Sequence, residues 1–144
     1  MLIYGVDYFT FHDVLEIIKH PKKAKLDKKS KQKIINSYQN VQKIVKSDKT
    51  VYGINTGFGS LCNTQISHDE LTQLQENLLL SHACGTGDYV PREVIKLMLL
   101  LKVQSLSYGN SGVQIDTVKR LMDMYNNDVL PVIYTQIGRA SCRE

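Results

Sequence analysis

No apolar run in this 144-residue chain reaches the roughly 20 residues that a membrane-spanning helix needs. The richest stretch, from Val94 to Val103, is interrupted by Lys96 and Lys102. The amino-terminal Met-Leu-Ile-Tyr-Gly-Val-Asp-Tyr-Phe has neither the basic start nor the apolar core of a secretory leader. Only three cysteines occur, Cys62, Cys84 and Cys142. They cannot all pair and none stands in a C-x-x-C, so a reduced, cytoplasmic compartment is the simplest expectation. The four histidines, His12, His20, His68 and His82, form no H-x-x-x-H or H-E-x-x-H pair, and no metal is expected. Neither a G-x-G-x-x-G nor a G-x-x-x-x-G-K-[ST] pattern is present, which argues against a nucleotide loop.

What the chain does have is globular composition, with 42% hydrophobic and 22% charged residues and length enough for one domain with a proper core. Its net charge of +4 is unevenly spread. Between Lys19 and Lys49 there are 11 lysines against only Asp27 and Asp48. That stretch lacks arginine, and Tyr38 is its single aromatic residue, so it carries too little for base stacking or bidentate readout. It reads as the solvated face of a surface helix, and no nucleic-acid partner is expected.

Periodicity predicts a mainly α fold. Thr10-Phe11-His12-Asp13 resembles a capping box opening a short amphipathic helix with Val14, Leu15, Ile17 and Ile18, ended by Pro21. From Asp27 to about Ser47, Ile34, Ile35, Tyr38, Val41, Ile44 and Val45 recur at spacings of three and four. Val51 to Ile54 reads as a short β-type run leading into Asn55-Thr56-Gly57-Phe58-Gly59-Ser60. Ser67-x-x-Glu70 looks like a second capping box, starting a helix expected to bury Leu71, Leu74, Leu78 and Leu79 and to run out near Ala83 to Gly85. Pro91 suits the first turn of a largely buried helix with Val94, Ile95, Leu97, Met98, Leu101 and Leu106. Gly109-Asn110-Ser111-Gly112 breaks it, and a last helix is predicted from Ile115 to about Asn126.

Three places could carry chemistry. A loop with Gly53, Gly57 and Gly59 implies close backbone approach or positive φ, as a plain tight turn or as a ligand-facing loop. His82 follows three leucines at a helix end, where a histidine can be a core or capping residue as well as a catalytic one. Tyr52 suits a strand, and tyrosine is a poor base unless its surroundings depress its pKa.

Val51-Tyr52-Gly53-Ile54-Asn55-Thr56-Gly57-Phe58-Gly59 resembles the tyrosine loop of the aromatic amino-acid ammonia-lyases. Leu74 to Gly85, Ser111-Gly112-Val113 and Val129 to Gln136 resemble later blocks of that family in the same order, so the likeness covers residues 1–136. It implies a mainly α fold, the N-terminal part of the helical ammonia-lyase architecture with a glycine-rich tyrosine loop. By the same resemblance Tyr52 is the catalytic tyrosine, acting in proton transfer at the substrate's β-carbon, while His82 faces the substrate side chain and Gly59 lines the pocket. Ser81-His82 is similar to the histidine branch, which converts L-histidine to trans-urocanate and ammonia. Tyrosine is the alternative substrate, since a histidine also suits a phenol. A truncated, non-catalytic paralogue serving as an interaction module is the alternative from another class. The family forms homotetramers and uses 4-methylideneimidazol-5-one, made from an internal Ala-Ser-Gly.

The carboxyl end departs from the family. After Gln136 the family continues Gly-Ser-x-Gly-Ala-Ser-Gly-Asp-Leu-Ala-Pro-Leu, whereas this chain reads Ile-Gly-Arg-Ala-Ser-Cys-Arg-Glu. Ala140-Ser141 sits one position early, and Cys142 replaces the glycine whose amide nitrogen closes the ring. The last eight residues match an in-frame translation of a short-read sequencing adapter, so 137–144 are expected to be non-native. The expectation is therefore of 1–136 as the front of a lyase catalytic region, inactive and poorly folded or aggregating by itself.

Overall fold

The computed structural model describes residues 1–6, 8–20, 22–47, 49–57 and 66–136. Among them, five helices and four short strands follow the order β1 (Leu2–Tyr4), α1 (Phe11–Lys19), β2 (Ala24–Leu26), α2 (Lys28–Val45), α3 (His68–His82), β3 (Thr86–Tyr89), α4 (Arg92–Ser107), α5 (Ile115–Asn126) and β4 (Tyr134–Gln136). The mainly α expectation holds. None of these helices is long and apolar enough to cross a membrane. The chain divides into two compact units.

The first unit holds Met1–Asn40 and Val90–Val132. Its α1 begins as the sequence predicts: the Thr10 hydroxyl accepts from the Asp13 amide and the Asp13 carboxylate accepts from the Thr10 amide at 2.8 Å, closing a capping box. β1 and β2 pair in parallel, Leu2 opposite Ala24 and Tyr4 opposite Leu26. The α4–α5 pair packs beside them, and Tyr4, Ile34, Leu100, Val103 and Val118 are fully buried where these elements meet. Packing of this kind, at about 25 cal/mol per Å² of apolar surface removed from water, is what holds the unit together. The Asn126 side chain supplies a polar tie. Its Oδ1 accepts from the Ala24 amide and its Nδ2 donates to the Ala24 carbonyl, both at 2.8 Å.

α4 departs from the expected buried helix. Ile95, Leu99, Leu100, Val103 and Leu106 are buried, whereas Val94, Met98 and Leu101 are exposed on the opposite stripe. Only one face of the helix meets the core. It ends where predicted, at Gly109, whose φ of +75° and 2.8 Å clearance from the Lys33 backbone to an ideal Cβ admit no side chain. All eleven lysines between Lys19 and Lys49 are exposed, the solvated face that the sequence implies. Ile34 is the single buried apolar residue of the predicted α2 stripe; Ile35, Tyr38, Val41, Ile44 and Val45 are half-buried.

The second unit holds the described residues of Val41–Tyr89 and of the segment from Ile133 onward. β3 and β4 pair antiparallel, Tyr89 opposite Tyr134, with the two rings 5.1 Å apart. α3 runs between the predicted ends but differs in two respects. Ser67 is its N-cap, yet the Ser67 hydroxyl donates to the Glu70 carboxylate at 2.6 Å instead of capping a backbone amide. None of its described side chains is buried: Leu71, Leu74 and Leu78 are half-buried, and Leu79 and Leu80 are 72% and 74% exposed. Three consecutive leucines fan through about 200° of a helix circumference, so a single neighbour cannot cover them all.

Candidate functional site

The segment around Tyr52 is a turn, not the short strand its β-type residues suggest. The Ile54 amide donates to the Val51 carbonyl at 3.1 Å, closing a four-residue turn with Tyr52 and Gly53 at its centre. Gly53 has φ +75°, the positive angle that the third position of a type II turn demands. β-propensity yields here because it reflects side-chain packing on a pleated surface, and a glycine at positive φ turns the chain out of one. Tyr52 sits at its tip, 62% exposed.

Beneath the tip lie two buried polar residues. Asn55 is 2% exposed; its Oδ1 accepts from the Val51 amide and its Nδ2 donates to the Lys49 carbonyl, both at 2.8 Å. Thr56 is 1% exposed; its hydroxyl accepts from the Gly53 amide at 3.2 Å and donates to the Gly57 carbonyl at 2.9 Å. Burying a polar group costs free energy unless it is paired, and here the two side chains satisfy backbone groups on either side of Tyr52. Sequence reasoning singled out the glycines and passed over these two. The available signal was an Asx-and-threonine pair next to a glycine-bearing turn, residues that commonly bond their own backbone.

His82 is the last residue of α3, which ends there with Ala83 as its C-cap. Its Nδ1 lies 2.9 Å from the Leu78 carbonyl oxygen and 2.9 Å from the Ser81 hydroxyl oxygen. A carbonyl only accepts, so in this contact Nδ1 is the donor. The Ser81 hydroxyl donates to the same carbonyl at 3.2 Å. His82, with Gln75, Leu78, Leu79 and Ala83, lines a shallow concavity of about 540 Å³. Tyr52 is not among the described residues of its wall. Gly59, the third expected site residue, and the expected non-native tail at 137–144 lie outside the described residues.

The 4-methylideneimidazol-5-one group arises from an Ala-Ser-Gly triplet, and this sequence contains none. Cys142 follows Ala140-Ser141, so the residues present do not fit that group.

The aromatic amino acid lyase family model matches residues 9–138, and the chain belongs to that family of carbon–nitrogen lyases. Among its relatives, the histidine ammonia-lyase of Streptococcus gordonii is 39% identical over 127 residues, which is 88% of this chain and 25% of that protein. The histidine ammonia-lyase of Legionella pneumophila is 53% identical over 97 residues, 67% of this chain and 19% of that protein. Among solved structures, histidine ammonia-lyase from Trypanosoma cruzi superposes with a TM-score of 0.72 at 34% identity, covering 87% of this chain and 24% of that one. Ergothionase from Treponema denticola shares the fold, with a TM-score of 0.84 at 24% identity over 94% of this chain and 27% of its own. The chain thus spans about a quarter of the length of the curated relatives it matches.

Proposed function

We propose that residues 1–136 are the N-terminal part of a cytoplasmic, homotetrameric ammonia-lyase that converts L-histidine to trans-urocanate and ammonia. The likeness to histidine ammonia-lyases supports histidine over tyrosine, and His82, held at the end of α3 by the Leu78 carbonyl through Nδ1, supplies a group for the substrate side chain. With Nδ1 so engaged, the neutral imidazole accepts a hydrogen bond at Nε2 from the N–H of a substrate imidazole, as it would from a phenol O–H.

In this proposal Tyr52 exchanges a proton at the substrate's β-carbon, the chemically demanding step because that proton is weakly acidic. Its exposed place on a turn lets it approach a substrate from above, and closing over the substrate excludes water. The Ala-Ser-Gly triplet that would supply the family's electrophile is not among the residues of this sequence, and none of them replaces it. The 144-residue chain by itself is therefore inactive.

The test is to extend the coding sequence past Gln136, purify the full-length enzyme, and follow urocanate from L-histidine against coumarate from L-tyrosine. Urocanate as the dominant product, lost in His82→Phe, is the expected result. Preferential formation of coumarate would overturn the histidine assignment in favour of tyrosine.

A further inference from the structure

We propose that Asn55 and Thr56 are positioning residues for Tyr52, a proposal that rests on the reading of Tyr52 as the proton-transfer group. Tyr52 occupies the tip of a turn only four residues long, closed by the Ile54 amide on the Val51 carbonyl. Such a tip cannot place a phenol to within a fraction of an ångström, which proton transfer requires. Besides its backbone bonds, this turn is held by a clamp of four side-chain hydrogen bonds. The Asn55 carboxamide grips the Val51 amide and the Lys49 carbonyl, on the amino-terminal side of Tyr52, both at 2.8 Å. The Thr56 hydroxyl takes the Gly53 amide on its other side and ties itself to the Gly57 carbonyl. The amides immediately before and after Tyr52 are thus each held by a different buried side chain.

Burial makes the clamp selective for residue type. Both side chains are within 2% of full burial, so water cannot replace a lost partner. Asn55 needs one acceptor and one donor atom, which aspartate does not provide. Thr56 needs a hydroxyl that accepts and donates at once, which serine retains and the isosteric valine lacks. A second anchor comes from the Asn55 backbone, whose carbonyl accepts from the Ile66 amide at 3.0 Å. The rigid base and exposed tip together fit a group that must be precisely aimed yet reachable by substrate.

The experiment uses the full-length lyase carrying this segment, with kcat and KM measured for Thr56→Val, Thr56→Ser and Asn55→Asp in the native and Tyr52→Phe backgrounds. Thr56→Val and Asn55→Asp should lower kcat by about tenfold to a hundredfold while KM stays within about twofold, the size of effect that small misplacements of a reacting group produce. Thr56→Ser should recover most of the loss. In the Tyr52→Phe background the same substitutions should cost little more, because the group they aim is already gone. Equal losses in both backgrounds would show a purely structural role and overturn the proposal alone. Full activity of Tyr52→Phe would instead overturn the reading of Tyr52, and the proposal with it.

Discussion

Replacing Asn126 by alanine tests how much of the first unit depends on a single polar tie. Asn126 is the last residue of α5, and its carboxamide bonds both backbone groups of Ala24, 102 positions away in sequence, at 2.8 Å each. In effect it serves as a neighbouring strand on the side of β2 that β1 does not occupy. Ala24 is only 6% exposed, so water does not readily take over either backbone group. Each orphaned group costs about 1–3 kcal/mol, which puts the gross loss at about 2–6 kcal/mol. Alanine's better helix propensity returns at most about 0.7 kcal/mol, and partial relaxation of β2 returns more. The net expectation is a destabilisation of about 2–4 kcal/mol, a large share of a marginally stable fold. Urea unfolding at low micromolar concentration, followed by circular dichroism, should show a lower midpoint at unchanged slope. Asn126→Asp should not rescue, because it keeps the acceptor for the Ala24 amide but sets a second oxygen against the Ala24 carbonyl. A shift below about 0.5 kcal/mol for Asn126→Ala would refute the reasoning, since it would mean that solvent or a shifted strand satisfies Ala24 without penalty.

Further outcomes follow from the same structure. Burial raises the Tyr4 phenol well above its ordinary range, with the neighbouring Tyr125 adding to the shift, and burial also raises Tyr125. Both are thus held neutral in the fold, so their contribution is complete below about pH 10 and is lost as pH rises through their folded values. An unfolding titration should show stability falling steeply on the alkaline side, and Tyr4→Phe should flatten that limb; an unchanged limb would contradict the assignment. Gly53→Ala meets no atom within 4 Å, so its cost is the left-handed backbone alone, about 1–2 kcal/mol, and should appear as faster amide exchange at Gly53 and Ile54 with little change in overall unfolding. An alanine variant exchanging as slowly as the parent would mean that the turn does not need positive φ. The isolated 144-residue chain should associate at higher concentration through Leu79, Leu80 and the exposed α4 stripe, and show no lyase activity. Sedimentation as a monomer at the higher concentration would overturn the first half, and urocanate formation the second.

Short-range chemistry made much of this protein legible from its residues. The capping box at Thr10 and Asp13, the stop at Gly109 and the span of α5 each depend on neighbours within a few positions, and each stands where predicted. The nine-residue block around Tyr52 and the Ser81-His82 pair marked the family for a similar reason, because chemistry restricts residue type locally. Which side of an element is covered is another matter. Periodicity showed that α3 and α4 carry leucines at helical spacing, but only the packing decided that α4 buries one face and that α3 buries none of its described side chains.

The strands escaped notice because three or four residues carry no readable period. β1 exists because β2, some twenty residues on, completes its ladder, while α5 supplies Asn126 on the far side. The Tyr52 segment shows the two levels in one place. Its sequence determined that a tyrosine and a left-handed glycine would sit together. The fold decided that they form a turn and not a strand, with Asn55 and Thr56 buried beneath as its clamp. Hydrogen-bond partners and burial are properties of the assembled chain, and they select among local conformations that the residues alone leave close in free energy.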